Sequence, residues 1–425
     1  FNRQTGLLAS YIGAPDLRGL TAGPDGSLIV QNCWLAYFTD LHRHRRFNRF
    51  NLVHLYAMGG SGPGSFSPLS VTVPAEGRAW ADEFLQRQAG TIRHWIAVQV
   101  GASDVIKAWR PEYFGRAMAH LSRQSGVGFV LIGTVAEAEC IESAKAAYRA
   151  SGGRAPILDA SGRTSLHQLV GLLSRCQLLL TNDTGPMHLA VGVGTPVVHL
   201  SVGHVGNNET GPYGPGHWVV QPDLACSPCG FDQICAHHAC KDRLVPGEVA
   251  ELCLHALGLG PFQSWSGGVR VYQSSIDADG LGSFSLRAGS VDATTTWYAG
   301  FWKRFWYEDF TGNPSQLAPN PEPAPDHDRV LALIGEAGQP LRRLARHAQD
   351  IAELTRRHPL PITELKQEQA LLRQEREQLL TRMMAHPVTA PPTVAMIREI
   401  HSDDDVGLTM LAERHVRAYR RWDQR

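Results

Sequence analysis

Short runs of almost continuous apolar residues alternate with amphipathic stretches between residues 92 and 258 of this chain. Four of these runs have the length of a buried strand, and they read WIAVQV from Trp95, VGFVLI from Val127, LLLT from Leu178 and PVVHL from Pro196. Helical patterns follow the four runs, over 111–124, 136–150, 165–176 and 186–193. Strands that are apolar on both faces and separated by helices predict a parallel sheet that is covered on both sides. The predicted fold class is therefore a doubly wound, Rossmann-like α/β domain.

Composition divides the rest of the chain. We predict an incomplete α/β domain over residues 1–91, followed by the doubly wound domain over 92–260. A β-prone aromatic extension over 261–313, a proline-rich linker over 314–325 and a charged helical module over 326–425 come next. Two apolar runs in the first segment, at 27–30 and 51–55, predict strands. The last hundred residues contain 31 charged side chains, against 49 in the preceding 325, which indicates a separate, solvated helical module.

The charge balance limits the classes of partner. The chain has 40 Lys and Arg residues against 40 Asp and Glu residues, so it has no overall field with which to attract DNA or RNA. Nucleic acid is therefore excluded as an expected partner. The sequence also lacks an apolar run of about 18 residues, so no membrane-spanning helix is predicted.

The strongest local motif is TNDTGPMH, from Thr181 to His188, which follows an apolar strand and opens a predicted helix. Ligands bind at the carboxyl ends of strands in open parallel sheets, and free amides at a helix start suit a phosphate or pyrophosphate. Gly185 allows close approach, and Asp183 can accept hydrogen bonds from sugar hydroxyls. The alternative is a structural helix with a simple N-cap at Asp183 or Thr184.

Two further loops follow predicted strands of the same sheet. Ser103 and Lys107 can contact phosphate oxygens, although a solvated lysine is the alternative. Glu137 can bind a pair of ribose hydroxyls, or it can be a first-turn carboxylate that the helix dipole favours. Three such loops at one edge of a sheet converge, so together they predict a ligand site.

The order of these motifs resembles glycosyltransferase family 9, the ADP-heptose:lipopolysaccharide heptosyltransferases. The resemblance covers about residues 92–258 and includes the K-x-W loop, DTGPMH, the GTPVV strand and TGPYG from Thr210. It implies the two-domain GT-B fold and inverting, metal-independent transfer of heptose or a related sugar from an ADP-sugar. The implied acceptor is a cell-envelope glycolipid such as the lipopolysaccharide inner core, and the implied location is the cytoplasm at the inner face of the plasma membrane.

The resemblance also implies roles for individual residues, and it implies no cofactor for catalysis. Lys107 and the helix start would stabilise the departing diphosphate. Glu137 would bind the ribose, Asp183 the transferred sugar and Met187 the adenine. The residues that would contact the diphosphate are Ser103, Lys107, Thr184, Gly185 and His188.

The catalytic base has no candidate in this sequence. The family uses an aspartate in a glycine-containing loop near the start of its N-terminal domain, and Asp16 and Asp40 do not fit that pattern. We therefore expect the base upstream of residue 1, in a longer protein.

Other functions fit the same residues. Within the fold these are a protein O-heptosyltransferase, a transferase that uses a UDP-sugar and a sugar-nucleotide epimerase. A non-catalytic donor-binding protein is the alternative from a different class, and it would form a homo-oligomer through the coiled-coil-like pattern over 362–383.

A cysteine cluster lies C-terminal to these motifs. Four cysteines in a C-x2-C-x5-C-x4-C pattern can close a tetrahedral site for zinc or iron, and they are Cys226, Cys229, Cys235 and Cys240. Such a metal would be structural, because all four positions would be filled. The alternatives are two disulfides or unligated thiols.

Two other segments allow both a structural and a binding interpretation. The basic run at 42–49 predicts a solvated surface helix, or a contact with a phosphorylated acceptor or the anionic inner leaflet. The aromatic cluster at 297–307 predicts a core, or a surface on which a sugar stacks.

Overall fold

The computed structural model describes most of the chain, namely residues 3–14, 16–22, 28–30, 32–41, 45–61, 67–86, 92–231, 234–320, 322–323, 325, 327–357, 361–384, 389, 393, 396, 415–417 and 419–420. Among these residues, no helix is both long enough and apolar enough to cross a lipid bilayer.

The N-terminal segment contains mostly helices. Its elements are α1 (Arg3–Ile12), β1 (Leu20–Ala22), β2 (Leu28–Val30), α2 (Cys33–Asp40), α3 (Leu52–Ser61) and α4 (Ala75–Gln86). Strands β1 and β2 pair antiparallel in a sheet of their own, so the prediction of a strand at 27–30 is confirmed over Leu28–Val30.

The predicted strand at 51–55 is wrong, because these residues begin helix α3. The Asn51 side chain accepts a hydrogen bond from the Val53 amide at 3.0 Å, and the Asn51 carbonyl accepts one from the Leu55 amide at 3.2 Å. Asn51 thus starts the helix, and Leu55 and Met58 on one face of it are buried in an aromatic cluster. A five-residue apolar run fits both periodicities, and tertiary packing decides between them.

A single eight-stranded sheet organises the main domain. Its strands are β3 (His94–Gln99), β4 (Val127–Ile132), β5 (Ile157–Asp159), β6 (Leu178–Thr181), β7 (Val197–Leu200), β8 (Trp218–Pro222), β9 (Val269–Ile276) and β10 (Gly282–Ala288). The order is β10-β9-β8-β7-β6-β3-β4-β5, with β3 to β8 parallel and the last two strands antiparallel. The six parallel strands have the Rossmann order, whose topological switch point lies between β3 and β6.

Helices cover both faces of this sheet, as the apolar strands predict. They are α5 (Pro111–Leu121), α6 (Ala138–Ala150), α7 (Leu166–Leu173), α8 (Gly185–Gly192), α9 (Asn207–Thr210), α10 (Ala239–Arg243) and α11 (Pro246–Ala256). Ile96 and Val98 belong to the buried cluster on one face, and Trp95 and Ala97 belong to the cluster on the other. The predicted α/β class and the doubly wound sheet are therefore confirmed.

Helix α4 precedes residue 92, yet it packs on this domain. A Cβ on Gly77 would lie 2.1 Å from the His167 carbonyl oxygen, and one on Gly171 would lie 2.1 Å from the Gly77 carbonyl oxygen. The Val71 amide also donates to the Gly192 carbonyl at 2.8 Å. The boundary expected at 91 and 92 therefore cuts through packed structure.

The extension after residue 260 joins the N-terminal segment to the sheet. Strands β9 and β10 extend the sheet, and α12 (Ala293–Thr311) packs Phe310 against Trp34 and Trp306 against Tyr37 of the N-terminal segment. Tyr298 and Trp302 of α12 belong to the same buried cluster. The aromatic residues near 300 therefore mostly form a core. A buried ion pair between Asp277 and Lys303 lies in the same region.

The charged module contains two long helices, α13 (His327–Leu354) and α14 (Ile362–Met384). Their apolar faces share a separate core, in which Leu344 and Leu372 are buried. An ion pair between Arg343 and Glu375, at 2.7 Å, also joins them. The predicted helical character of this segment is confirmed over the described residues.

Candidate functional site

The switch point of the sheet brings together the loops that follow β3 and β6. Asn182 links them, because its Oδ1 accepts from the Trp109 amide at 2.9 Å and its Nδ2 donates to the Val100 carbonyl at 2.9 Å. The Asn182 side chain is completely buried. Asn182 was not among the predicted site residues, although its place directly before Asp183 at a strand end is a signal that could have identified it.

Lys107 and Asp183 meet across this switch point. Lys107 ends a short 3-10 turn that the Asp104 side chain caps by accepting from the Ile106 amide at 2.9 Å. The Lys107 ammonium lies 3.6 Å from an Asp183 carboxylate oxygen, and the two side chains are 17% and 15% exposed. Two residues separated by 76 positions therefore form a partly exposed pair of opposite charges, within reach of a ligand.

The start of helix α8 is open beside this pair. Thr184 occupies the N-cap position without a side-chain capping bond, and its hydroxyl instead lies 3.1 Å from the Thr181 hydroxyl. A Cβ on Gly185 would meet no atom within 4 Å. Pro186 has no N–H, and the Met187 amide donates to the Thr184 carbonyl at 3.1 Å. The Gly185 amide is not claimed by a capping side chain, so it and the helix dipole favour binding of an anion.

Two histidines lie near the Lys107–Asp183 pair. Burial lowers the pKa of His188, with Asp183 opposing this shift and Lys107 adding to it. Burial lowers the pKa of His199 to about 4, and neither ring nitrogen of His199 has a hydrogen-bond partner among the described residues. Both imidazoles are therefore neutral near pH 7. His199 was not predicted as a site residue, although a lone histidine within the apolar strand β7 was a visible signal.

Glu137 lies at the same edge of the sheet, after β4. One carboxylate oxygen accepts from the Thr134 amide and hydroxyl, at 2.6 Å and 2.9 Å, and the other accepts from Gln99 Nε2 at 2.9 Å. A Cβ on Gly101 would lie 1.9 Å from that second oxygen, so glycine permits this approach. Glu137 thus has a structural role, because its side chain and Thr134 form a capping box at the start of the following helical turn. The second oxygen, with one donor, still has a lone pair available for a hydroxyl group.

Ser103 and Met187 differ in their availability. Ser103 is exposed on the loop before Lys107, where a ligand can reach it. The Met187 side chain is completely buried in the core between α7, α8 and the sheet. This burial favours a packing role for Met187 and argues against the contact with adenine that the family resemblance implies.

The four clustered cysteines are close to one another but do not form a closed site in this structure. None of them is in a disulfide. Burial and the neighbouring Cys226, Cys240 and Cys235 raise the pKa of the Cys229 thiol to about 11. Sulfurs around a tetrahedral zinc ion would lie about 3.8 Å apart. Among the described residues, the one group of three candidate ligands within 4.8 Å of one another is instead His347, Asp350 and Glu368. The four thiols fit a structural metal by their chemistry, and binding would require their sulfurs to draw closer.

The cysteine segment supports the loop that contains Lys107. Lys241 is buried, donates through its Nζ to the Val105 carbonyl at 2.6 Å, and accepts at its own carbonyl from Trp109 Nε1 at 3.0 Å. The Cys229 amide donates to the Gly203 carbonyl at 3.0 Å, and a Cβ on Gly203 would lie 2.4 Å from the Ile106 carbonyl oxygen. The position of Lys107 therefore depends on packing from residues more than 90 positions away.

The described part of the basic run, residues 45–49, is not helical, and residues 42–44 lie outside the described residues. Residues 45–47 form a turn, and Arg45 is buried in a bidentate ion pair with Glu209, with both nitrogen-to-oxygen distances at 2.7 Å. Arg45 also donates to the Cys229 carbonyl at 2.7 Å. Burial raises the pKa of Glu209, and Arg45 opposes this shift. Arg45 thus joins the N-terminal segment to the main domain.

Residues 69–238 match the family model for glycosyltransferase family 9 (heptosyltransferase). Over 160 residues the chain is 26% identical to lipooligosaccharide heptosyltransferase 2 of Campylobacter jejuni, and the match covers 37% of this chain and 49% of that protein. Over 127 residues it is 28% identical to the lipopolysaccharide core heptosyltransferase OpsX of Haemophilus influenzae, with 29% and 34% covered. The chain thus spans about half or less of the length of these relatives.

Two solved structures are also similar. One is the ADP-heptose LPS heptosyltransferase II of E. coli, with 22% identity, a TM-score of 0.36 and coverage of 44% of this chain and 53% of that chain. The other is the family 9 glycosyltransferase of Veillonella parvula, with 27% identity, a TM-score of 0.33 and coverage of 38% and 44%.

Proposed function

Because residues 69–238 belong to glycosyltransferase family 9, we propose that this protein transfers a sugar from a nucleotide-sugar donor, and that the donor is ADP-heptose or a closely related ADP-sugar. The observation that carries the proposal is the Lys107–Asp183 pair beside the open start of helix α8, at the switch point of a Rossmann-type sheet. This is where an open α/β sheet binds a nucleotide.

The donor diphosphate is proposed to lie between Lys107 and the Gly185 amide at the start of α8. When the bond to the sugar breaks, negative charge grows on the departing phosphate, and the lysine ammonium and the helix dipole stabilise that charge. Asp183 then accepts hydrogen bonds from hydroxyls of the transferred sugar. Glu137, through its less occupied oxygen, binds the ribose.

Neutral histidines suit the same leaving group. His188 lies in the first turn of α8, and an imidazole that is neutral near pH 7 can donate one hydrogen bond to a phosphate oxygen. His199 is completely buried behind this position. It supplies a polar wall to the site and adds no further positive charge, so Lys107 remains the cation that faces the diphosphate.

The acceptor is proposed to be a cell-envelope glycolipid, as the names of the two curated relatives suggest. The reaction would then take place in the cytoplasm, at the inner face of the membrane that holds the acceptor. We assign no general base to the described residues. The family resemblance puts the base in a glycine-containing loop of the acceptor-side domain.

The proposal is tested by nucleotide binding to the full chain. Titration calorimetry with ADP, UDP and GDP should give the tightest binding for ADP. Lys107→Ala should weaken ADP binding at least tenfold, because it removes the cation that faces the diphosphate. Lys366→Ala, which changes an exposed lysine on α14, is the matched control and should leave the affinity unchanged.

Two results would overturn parts of the proposal. Tighter binding of UDP or GDP than of ADP would contradict an ADP-sugar donor. Equal ADP affinities for the wild type and Lys107→Ala would show that the diphosphate does not lie at the switch point.

A further inference from the structure

A second cavity, of about 200 Å³, lies at the carboxyl end of β8. Four parts of the chain form its wall, namely the turn at 45–49, the segments at 206–209 and 221–228, and the region at 270–295. Two strand spacings, about 10 Å, separate β8 from β6, the strand that is followed by Asp183. Much of this wall lies outside residues 69–238, the part that matches the family.

Four arginines line the cavity, and one of them is already used. Arg45 is held by Glu209 and by the Cys229 carbonyl, so its role is structural. Arg46 and Arg49 donate to backbone carbonyls, and neither forms an ion pair with another described residue. Arg270 donates through one terminal nitrogen to the Pro222 carbonyl at 3.2 Å, and its Nε lies 3.6 Å from Asp223, a long contact to a half-exposed carboxylate. Three guanidinium groups thus keep unused hydrogen-bond donors.

Buried polar groups without partners line the same cavity. Gln221 Nε2, Asn207 Nδ2 and Ser227 Oγ have no hydrogen-bond partner among the described residues, and their side chains are 3%, 4% and 6% exposed. Arg270 Nε is also buried and unsatisfied. Gln221 and Arg270 are direct partners on the neighbouring strands β8 and β9. Folded proteins rarely bury several donors in one place without an acceptor, so their number here indicates a ligand with several acceptor oxygens.

The acidic residues that line the cavity neutralise the positive charge of its arginines only in part. Glu209 is neutralised by Arg45, and Asp292 caps helix α12 by accepting from the Thr295 amide at 2.7 Å. Asp223 remains, beside Arg270. The donor set of guanidinium groups, two amide groups and one hydroxyl matches a tetrahedral oxyanion better than a planar carboxylate, which has only two oxygens.

We propose that this cavity binds a phosphate group, in addition to the diphosphate of the donor. The observations do not depend on the transferase activity, so the site stands or fails separately from the proposed function. The phosphate can come from a free anion or from the headgroup of a lipid, because the chemistry of recognition is the same.

The test is binding of inorganic phosphate to the full chain with Lys107→Ala as background, which weakens the donor site. Two variants probe the cavity. Arg46→Ala removes an exposed guanidinium, and Gln221→Met removes a buried donor at similar volume. Each should weaken phosphate binding at least fivefold, whereas Arg149→Ala, an exposed arginine on α6, should not. ADP affinity, measured for the two variants in the Lys107 wild type, should be unchanged and reports that the fold is intact.

Vesicles distinguish the two sources of phosphate. A lipid headgroup is supported if the protein binds vesicles that contain phosphatidic acid, and if this binding is lost both in Arg46→Ala and when inorganic phosphate is added as a competitor. Binding of inorganic phosphate without any preference for phosphatidic acid over phosphatidylcholine supports a free anion. If neither probe binds, or if Arg46→Ala and Gln221→Met bind phosphate as tightly as Arg149→Ala does, the cavity is not a phosphate site.

Discussion

The Lys107 ammonium lies 3.6 Å from the Asp183 carboxylate, across the switch point of the sheet. Both side chains are partly exposed, so a ligand can reach each of them. A donor that bridges the pair would put its diphosphate on the lysine and its sugar on the aspartate. Mutation of one residue at a time can therefore distinguish the proposed role of the lysine from that of the aspartate.

Asp183→Asn should decrease kcat/KM for sugar transfer at least 100-fold, while the Kd for ADP changes less than threefold. The carboxylate is proposed to contact the sugar, which ADP lacks, and an amide of the same shape replaces a charged acceptor by a weaker one. Transfer assays with ADP-heptose and calorimetry with ADP measure the two quantities. Asp242→Asn, which changes a half-exposed carboxylate paired with Arg110, is the control. A large loss of ADP affinity in Asp183→Asn would contradict this division of roles.

Buried histidines should make the free energy of unfolding decrease as the pH falls below about 6.5, which is well above the range in which carboxylates titrate. Burial lowers the pKa of His217 to about 4, and His54 and His199 are shifted to about the same value. The unfolded chain takes up protons near pH 6.5, so between about pH 6.5 and pH 4 it binds more protons than the folded protein, and stability falls as pH falls.

For His217 this effect amounts to about 2 kcal/mol between pH 7 and pH 5. His217→Gln, which cannot titrate, should therefore lose less stability over that interval than the wild type. Urea unfolding at several pH values measures the difference, and the exposed His167→Gln is the matched control. Parallel curves for the wild type and His217→Gln would show that the pKa of His217 is not lowered.

The cysteine cluster should couple metal content to nucleotide binding. Cys235→Ser should remove a bound zinc or iron ion and weaken ADP binding severalfold, because the cysteine segment positions Lys241, which holds the loop of Lys107. Elemental analysis of anaerobically purified protein and ADP titration test both effects. Cys33→Ser, at an exposed cysteine outside the cluster, should change neither. Metal content near zero in the wild type would contradict the metal proposal.

The buried pair of Arg45 and Glu209 should be costly to break. Arg45→Ala leaves a buried carboxylate without its partner, and we expect a loss of about 3–5 kcal/mol in the free energy of unfolding. The double variant Arg45→Met with Glu209→Gln should recover part of this loss. Arg110→Ala, which breaks the half-exposed pair with Asp242, should cost less than about 1 kcal/mol. Urea unfolding measures all three, and equal losses for Arg45→Ala and Arg110→Ala would contradict the buried character of the pair.

The main domain could be predicted from the sequence because its strands are buried on both faces. Val127–Ile132 is apolar at nearly every position, and this pattern has few interpretations other than a central parallel strand. The first segment was harder to predict. Asn51–Leu55 has the composition of a strand, yet a side-chain cap and an aromatic cluster formed with residues 293–311 make it helical. Such contacts join positions more than 200 residues apart, and no local pattern contains them.

The sequence by itself determined the α/β class, the strand ends that carry Lys107, Glu137 and Asp183, and the resemblance of residues 69–238 to glycosyltransferase family 9. The hydrophobicity of a strand and the motif of a loop are local properties, so they can be recognised without knowing which distant residues pack against them. Only the tertiary structure decided which side chains meet. It buried Met187 and turned Arg45 from an expected surface residue into half of a buried ion pair. It also left both ring nitrogens of His199 and the Nε2 of Gln221 without a hydrogen-bond partner among the described residues. The physical reason is that burial and charge pairing depend on the whole fold, because the low-dielectric surroundings of a side chain come from distant parts of the chain.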